Sequence, residues 1–195
     1  EIPFCISTQG SVSNSLAASI YKKLGAVRIV LARECSLEEI RKIRDNTDME
    51  IEAFVHGAMC MAYSGRCLIS NYLTDRGANQ GECAQPCRWK YHMVEETRPG
   101  EYMPIEENER GTYIYNSRDL CMIEYIPELV ESGIHSFKIE GRMKTPLYVA
   151  TVVKAYREAI DTYLRDPKEY EDKREYFLNE VRKASHREFT TGFYE

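Results

Sequence analysis

The chain has 195 residues, 43% of them hydrophobic, enough for one sizeable core or a core with an appendage. A formal net charge of −5 excludes a wholly basic nucleic-acid binder while leaving room for a local basic patch. No apolar run approaches the roughly 20 residues that span a bilayer, so no membrane segment is expected.

The opening stretch, EIPFCISTQG, is strand-like and lacks the pattern of a secretory signal. Seven cysteines, an odd number, are too few for a disulfide scaffold and point to a reducing, cytoplasmic compartment.

Residues 2–7 read as a strand, and residues 13–24 as a helix with apolar positions at Leu16, Ile20 and Leu24, ended by Gly25. Residues 27–32 form a second strand. Ser36 followed by Glu39 is a capping box opening a helix with Leu37, Ile40 and Ile43 on one side. Residues 49–55 make a third strand, and an irregular region follows.

In residues 88–117, CRWKYHMVEE and GTYIYNS suggest the strands of an inserted hairpin, separated by a charged loop. Residues 120–131 are expected to form a short helix, 136–140 a fourth strand and 146–164 a long helix. That last helix carries a core-facing stripe of Val149, Val152, Val153, Tyr156, Ile160 and Leu164. Residues 170–185 read as a charged amphipathic helix packing through Phe177, Leu178 and Val181.

Alternating strands and helices are the rhythm of a parallel α/β protein, about half of an eight-stranded barrel. The expected organisation is therefore a partial TIM-like (β/α) barrel from residues 1–87 and 118–165, with a cysteine-rich loop at 57–87. The hairpin at 88–117 is an insertion, and residues 166–195 are a C-terminal helical segment. Four strands with open edges invite association, so the barrel is expected to be completed by a missing half or by a second copy.

Cys60, Cys67, Cys83 and Cys87 are spaced C-x6-C-x15-C-x3-C among Gly57, Gly65, Gly77 and Gly81. Glycines let a backbone curl closely around a bulky ligand. Four converging thiolates suit an iron–sulfur cluster or a tetrahedral zinc. The wide first half of the spacing favours a cluster over zinc, and disulfide-linked or unliganded thiols are the remaining reading. Cys121 is a possible substitute ligand.

Side-chain alternation predicts that Lys138 and Glu140 point into the barrel lumen, together with Glu50, Glu52, Phe54 and His56 of the third strand and Cys5, Ser7 and Gln9 of the first. Strand ends of a barrel carry its chemistry, so Glu52, His56, Lys138, Glu140 and Arg142 are candidate catalytic groups, and Gln9 and Arg33 candidate substrate contacts. The alternative for this group is a buried ion-pair network that holds strands in register. Arg88, Trp89, Lys90 and Tyr91 mix aromatic and basic character, as single-stranded RNA contacts do. The glutamate-rich neighbourhood favours a packed hairpin face instead.

The stretch EAFVHGAMCMAYSGRCLIS resembles the signature of the peptidase U32 family, the collagenase-like proteins. SFKIEGRMKTPLYVATVVKAYREAID and STQGSVSN resemble two further blocks, so the likeness spans nearly the whole chain. The resemblance implies the C-terminal half of a TIM-like barrel, with an N-terminal half-barrel outside this sequence. It also implies a four-cysteine [4Fe–4S] cluster, as in members that support hydroxylation of tRNA, ribosomal RNA or ubiquinone precursors. In some members the fourth ligand lies further along the chain, which leaves Cys121 as the alternative to Cys87. The family name makes a peptidase the competing function, but the chain has neither an HExxH zinc site nor a GxSxG elbow. A third reading is an interaction module whose metal only folds the loop.

Overall fold

The computed structural model describes residues 2–89, 91–93, 96, 97, 99, 100, 103, 104 and 118–194. Three parallel strands, β1 (Phe4–Ile6), β2 (Ala26–Val30) and β3 (Glu50–Ala58), alternate with two helices, α1 (Ser15–Lys23) and α2 (Leu37–Asp45). The Asn14 side chain caps α1, and the Ser36–Glu39 capping box forms as expected at α2. A short helix, α3 (Ile69–Thr74), lies in the cysteine-rich region.

Next come two strands, β4 (His92–Met93) and β5 (Met103–Pro104), paired antiparallel. The expected hairpin is thus present for His92–Met93, but its described partner is Met103–Pro104; GTYIYNS lies outside the described residues. The chain then runs through β6 (Asp119–Cys121), α4 (Ile126–Glu131), β7 (Ser136–Ile139) and α5 (Pro146–Arg165). It ends with α6 (Pro167–Asp172), α7 (Arg174–Arg182) and β8 (Phe189–Thr190).

β3 organises the main sheet. Its first half pairs parallel with β2, its second half antiparallel with β6, and its opposite edge parallel with β7. β8 extends the sheet beyond β6. The architecture is α/β with a mixed sheet.

Residues 120–131 are not one helix. Pro127 lacks an N–H and would clash with the carbonyl a turn earlier, so it belongs in a first turn and not in a helix interior. The helix accordingly starts at Ile126; Asp119–Cys121 join the sheet, and Ile123–Tyr125 form a 3-10 turn between the two. Tyr170 Oη bridges the junction, accepting from Ile126 N at 3.3 Å and donating to Ile123 O at 2.8 Å.

The 170–185 helix is likewise two helices broken at Lys173, with Tyr170, Phe177 and Val181 in the core. In α5 the buried face is Tyr148, Val152, Ala155, Tyr156, Ala159 and Thr162, rotated from the expected stripe; Val149, Val153 and Leu164 are exposed. The core here selects small residues and tyrosines because α5 lies close to β3: Tyr156 Oη donates to Val55 O at 2.8 Å.

α1 shows the same preference. It buries Ala18, packs Ala17 and Tyr21 against the core, and leaves Leu16, Ile20 and Leu24 exposed, with Leu16 at 73%. Ile2, Phe4 and Val27 are exposed beside it. Among the described residues, no helix is long and apolar enough to cross a membrane.

Candidate functional site

A cavity of about 360 Å3 opens at the C-terminal ends of β1, β2, β3 and β7. Cys60, Cys67, Cys83 and Cys87 all line it, facing Ser7, Gln9, Arg33, Phe54, Lys138, Glu140 and Arg142. Arg88 lines it as well, whereas Trp89 is outside and half exposed, and Lys90 lies outside the described residues. All seven cysteines are free thiols.

The loop that carries the cysteines is tied to the strand ends by short polar side chains. Buried Ser64 accepts from Arg33 N at 3.2 Å, and its own N–H donates to Glu34 Oε1 at 2.6 Å. Buried Ser70 accepts from Ala84 N at 3.1 Å, joining α3 to the second cysteine pair. Asn79 Nδ2 donates to Cys67 O at 3.0 Å. Gly65, at φ +75°, lets the loop lie on the turn after β1; a Cβ there would stand 2.3 Å from Gln9 O.

At the cavity floor the Arg33 guanidinium sits 4.0 Å above the Phe54 ring. Lys138 Nζ donates to Glu52 Oε1 at 2.8 Å. Glu52 stands behind the lysine, not in the cavity lining, and its other oxygen accepts from Ser136 Oγ at 3.0 Å. Burial alone would raise the Glu52 carboxyl, but the Lys138 ammonium and the Ser136 hydroxyl hold it below its ordinary value. Glu140 Oε1 accepts from Arg142 N at 2.9 Å, and its Oε2 is buried with no hydrogen-bond partner.

The family model for peptidase family U32 matches residues 1–195, the whole chain. The chain belongs to peptidase family U32. It is 46% identical over 190 residues to tRNA hydroxylation protein P1 of Bacillus subtilis, covering 97% of this chain and 44% of that protein. An uncharacterized protease of Methanocaldococcus jannaschii is 49% identical over 193 residues, 96% of this chain and 46% of its own length. Protein P of Escherichia coli, also named for tRNA hydroxylation, is 39% identical over 233 residues, 99% of this chain and 51% of its own. The U32 chain therefore spans about half the length of the curated relatives it matches. No solved structure matches it.

His56 does not join the U32 cavity, although strand alternation aims it there. The β3–β7 register slips between Phe54 and His56: Phe54 pairs with Lys138, but His56 pairs with Ile139. One extra residue turns every later side chain to the other face. His56 is therefore buried on the helix side among Tyr156, Phe189 and Tyr148, with ring centroids 5.4, 5.7 and 6.2 Å away. Neither ring nitrogen has a hydrogen-bond partner, and burial lowers its pKa to about 4. A Cys60–His56 nucleophile couple is not formed. Burial also raises the Cys60 and Cys87 thiols, the opposite of what an activated nucleophile requires.

The four thiols suit a sulfur-ligated inorganic group in their chemistry, and all four line one cavity, where Gln85 N donates to Cys83 Sγ at 3.3 Å. Among the described residues, no group of three or more His, Cys, Asp or Glu side chains stands in position to hold a metal ion. Cys121 is on β6, paired with His56, outside the cavity lining and buried with its thiol raised to about 11.

Two residues missed from sequence matter here. Ser64 is an ordinary loop serine until the fold buries it, although its place between two spaced cysteines was a usable signal. Asp119 is fully buried and ion-paired with Arg88 at 2.6 Å.

Proposed function

We propose that the full-length protein supports hydroxylation of tRNA, with a [4Fe–4S] cluster held by Cys60, Cys67, Cys83 and Cys87. The convergence of these four thiols on one cavity carries the reading, and the names of the B. subtilis and E. coli relatives supply the substrate. A cluster there would supply electron transfer. Lys138, positioned by Glu52, would present a cation to the substrate; Arg33, Gln9 and Arg142 would hold it, and Glu140 would accept a proton through its unpartnered Oε2. Half-exposed Trp89 would stack on a base, whereas the Arg88 guanidinium is engaged by Asp119 and is not offered to RNA.

The same reading takes the parallel strands as half of a TIM-like barrel. The open edge at β1 and the exposed Leu16, Ile20 and Leu24 support covering by further βα units or by a second copy. A cytoplasmic site follows from the proposed tRNA substrate.

The test is iron and sulfide analysis with EPR spectroscopy on anaerobic full-length protein, joined to mass spectrometry of tRNA from cells with and without it. Colourless, zinc-loaded protein and unchanged tRNA would sink the proposal. A peptidase is the second reading, favoured by the name of the M. jannaschii relative; collagen-peptide cleavage lost in Cys60→Ser would establish it. Metal-dependent folding of residues 57–90 without any turnover would instead leave an interaction module.

A further inference from the structure

Arg88 follows the last cysteine of the loop, and its guanidinium reaches back to the loop's beginning. Nη2 donates to Met59 O at 3.5 Å, next to Cys60, and to Arg118 O at 3.2 Å. Nη1 donates to Asp119 Oδ1 at 2.6 Å. The Arg88 side chain is only 11% exposed and that of Asp119 is fully buried. A buried carboxylate needs compensation from more than one donor. Asp119 has it: Oδ2 accepts from Arg187 N at 3.0 Å, with Lys144 Nζ 3.9 Å away. Arg187 Nη2 in turn donates to Arg88 O at 2.5 Å, so the segment leading into β8 grips the same residue from its backbone side.

We propose that Asp119 is a positioning residue for the cysteine site: it holds the Arg88 guanidinium across the two ends of the cysteine loop, so that Cys60 and Cys87 are presented on one wall. The inference extends the cysteine-ligand reading given above. Asp119 is not itself part of the cavity lining and acts through Arg88. The arrangement makes the geometry of Cys87 depend on the 187–190 segment, about a hundred residues further along the chain. A carboxylate rather than a neutral amide is required because the guanidinium is out of water and needs a charged, directional acceptor.

Per-residue alkylation of the metal-free full-length protein, followed by mass spectrometry, tests this without any cluster. In Asp119→Asn and in Arg88→Lys, Cys60 and Cys87 should react about tenfold faster than in the wild type, while buried Cys35, on the turn between β2 and α2, keeps its wild-type rate. Unchanged rates at Cys60 and Cys87 in folded variants would overturn the proposal. So would a uniform rise that includes Cys35, since that reports general loosening. Should Asp119→Asn not fold, Arg88→Lys, which keeps the charge but loses the span, decides the matter by the same comparison. Iron content is measured in parallel. Wild-type protein that binds no iron yet shows the selective labelling would reject the cluster and keep the clamp.

Discussion

Lys138 on β7 and Glu52 on β3 form a 2.8 Å ion pair across two parallel strands, and the lysine faces the cavity while the glutamate does not. Backbone register sets this up: Glu52 pairs with Ser136, and Lys138 lies two residues further on the same face. Glu52→Gln should therefore act chiefly on function. Because Lys138 is 38% exposed, unfolding free energy should change by no more than about 1 kcal/mol. Under the proposed tRNA reading, turnover of the full-length protein on tRNA should fall at least about tenfold as the lysine loses its anchor. Chemical denaturation beside a tRNA-modification assay separates the two.

The cysteines divide into two classes. Alanine at Cys60, Cys67, Cys83 or Cys87 should each abolish iron retention after anaerobic purification. Cys121→Ala should retain iron and cost about 1 kcal/mol, the price of a small core truncation. Iron loss in Cys121→Ala with retention in Cys87→Ala would exchange their roles.

His56 gives the folded state a pH dependence with a definite sign. Its pKa is about 4 in the fold and near 6.5 when unfolded. Between those values the unfolded chain binds a proton that the folded chain refuses, so stability falls as pH drops from about 6.5 to about 4. The loss by pH 5 is about 2 kcal/mol. Asp119 opposes the shift, and His186 and Lys144 add to it. Denaturant midpoints at pH 7 and pH 5 check this; His56→Phe, which keeps the ring contacts, should flatten the difference.

Gly57 sits where β3 changes register, at φ +101°, and a Cβ there would lie 2.4 Å from Glu140 O. Neither the backbone angle nor the neighbouring carbonyl can accommodate a side chain. Gly57→Ala should destabilise the protein by about 3 kcal/mol and displace Glu140 from the cavity, measurable as lost turnover in the folded fraction.

The exposed row on α1 should make the isolated chain associate. Leu16→Glu together with Ile20→Glu should shift its sedimentation toward monomer without lowering its melting temperature, because neither residue is in the core.

What could be read from the sequence alone is what local chemistry encodes. The Ser36–Glu39 box and the glycine-spaced cysteines lie within windows short enough for spacing to imply geometry, and the U32 blocks place the chain in its family. The alternation of β3 was legible up to Phe54. Tertiary structure decided the rest. A single slipped residue turned His56 from the cavity to the helices, and slips are chosen by which strands pair, not by either strand's own pattern. Asp119 and Arg88 are separated by a stretch that gives no hint of their contact, so the ion pair exists only once β6 is laid against β3. The hydrophobic rows on α1 and α5 were visible, but which face turns inward depends on how closely a neighbouring strand approaches. Small side chains and hydroxyls won those positions because close packing there leaves no room for leucine.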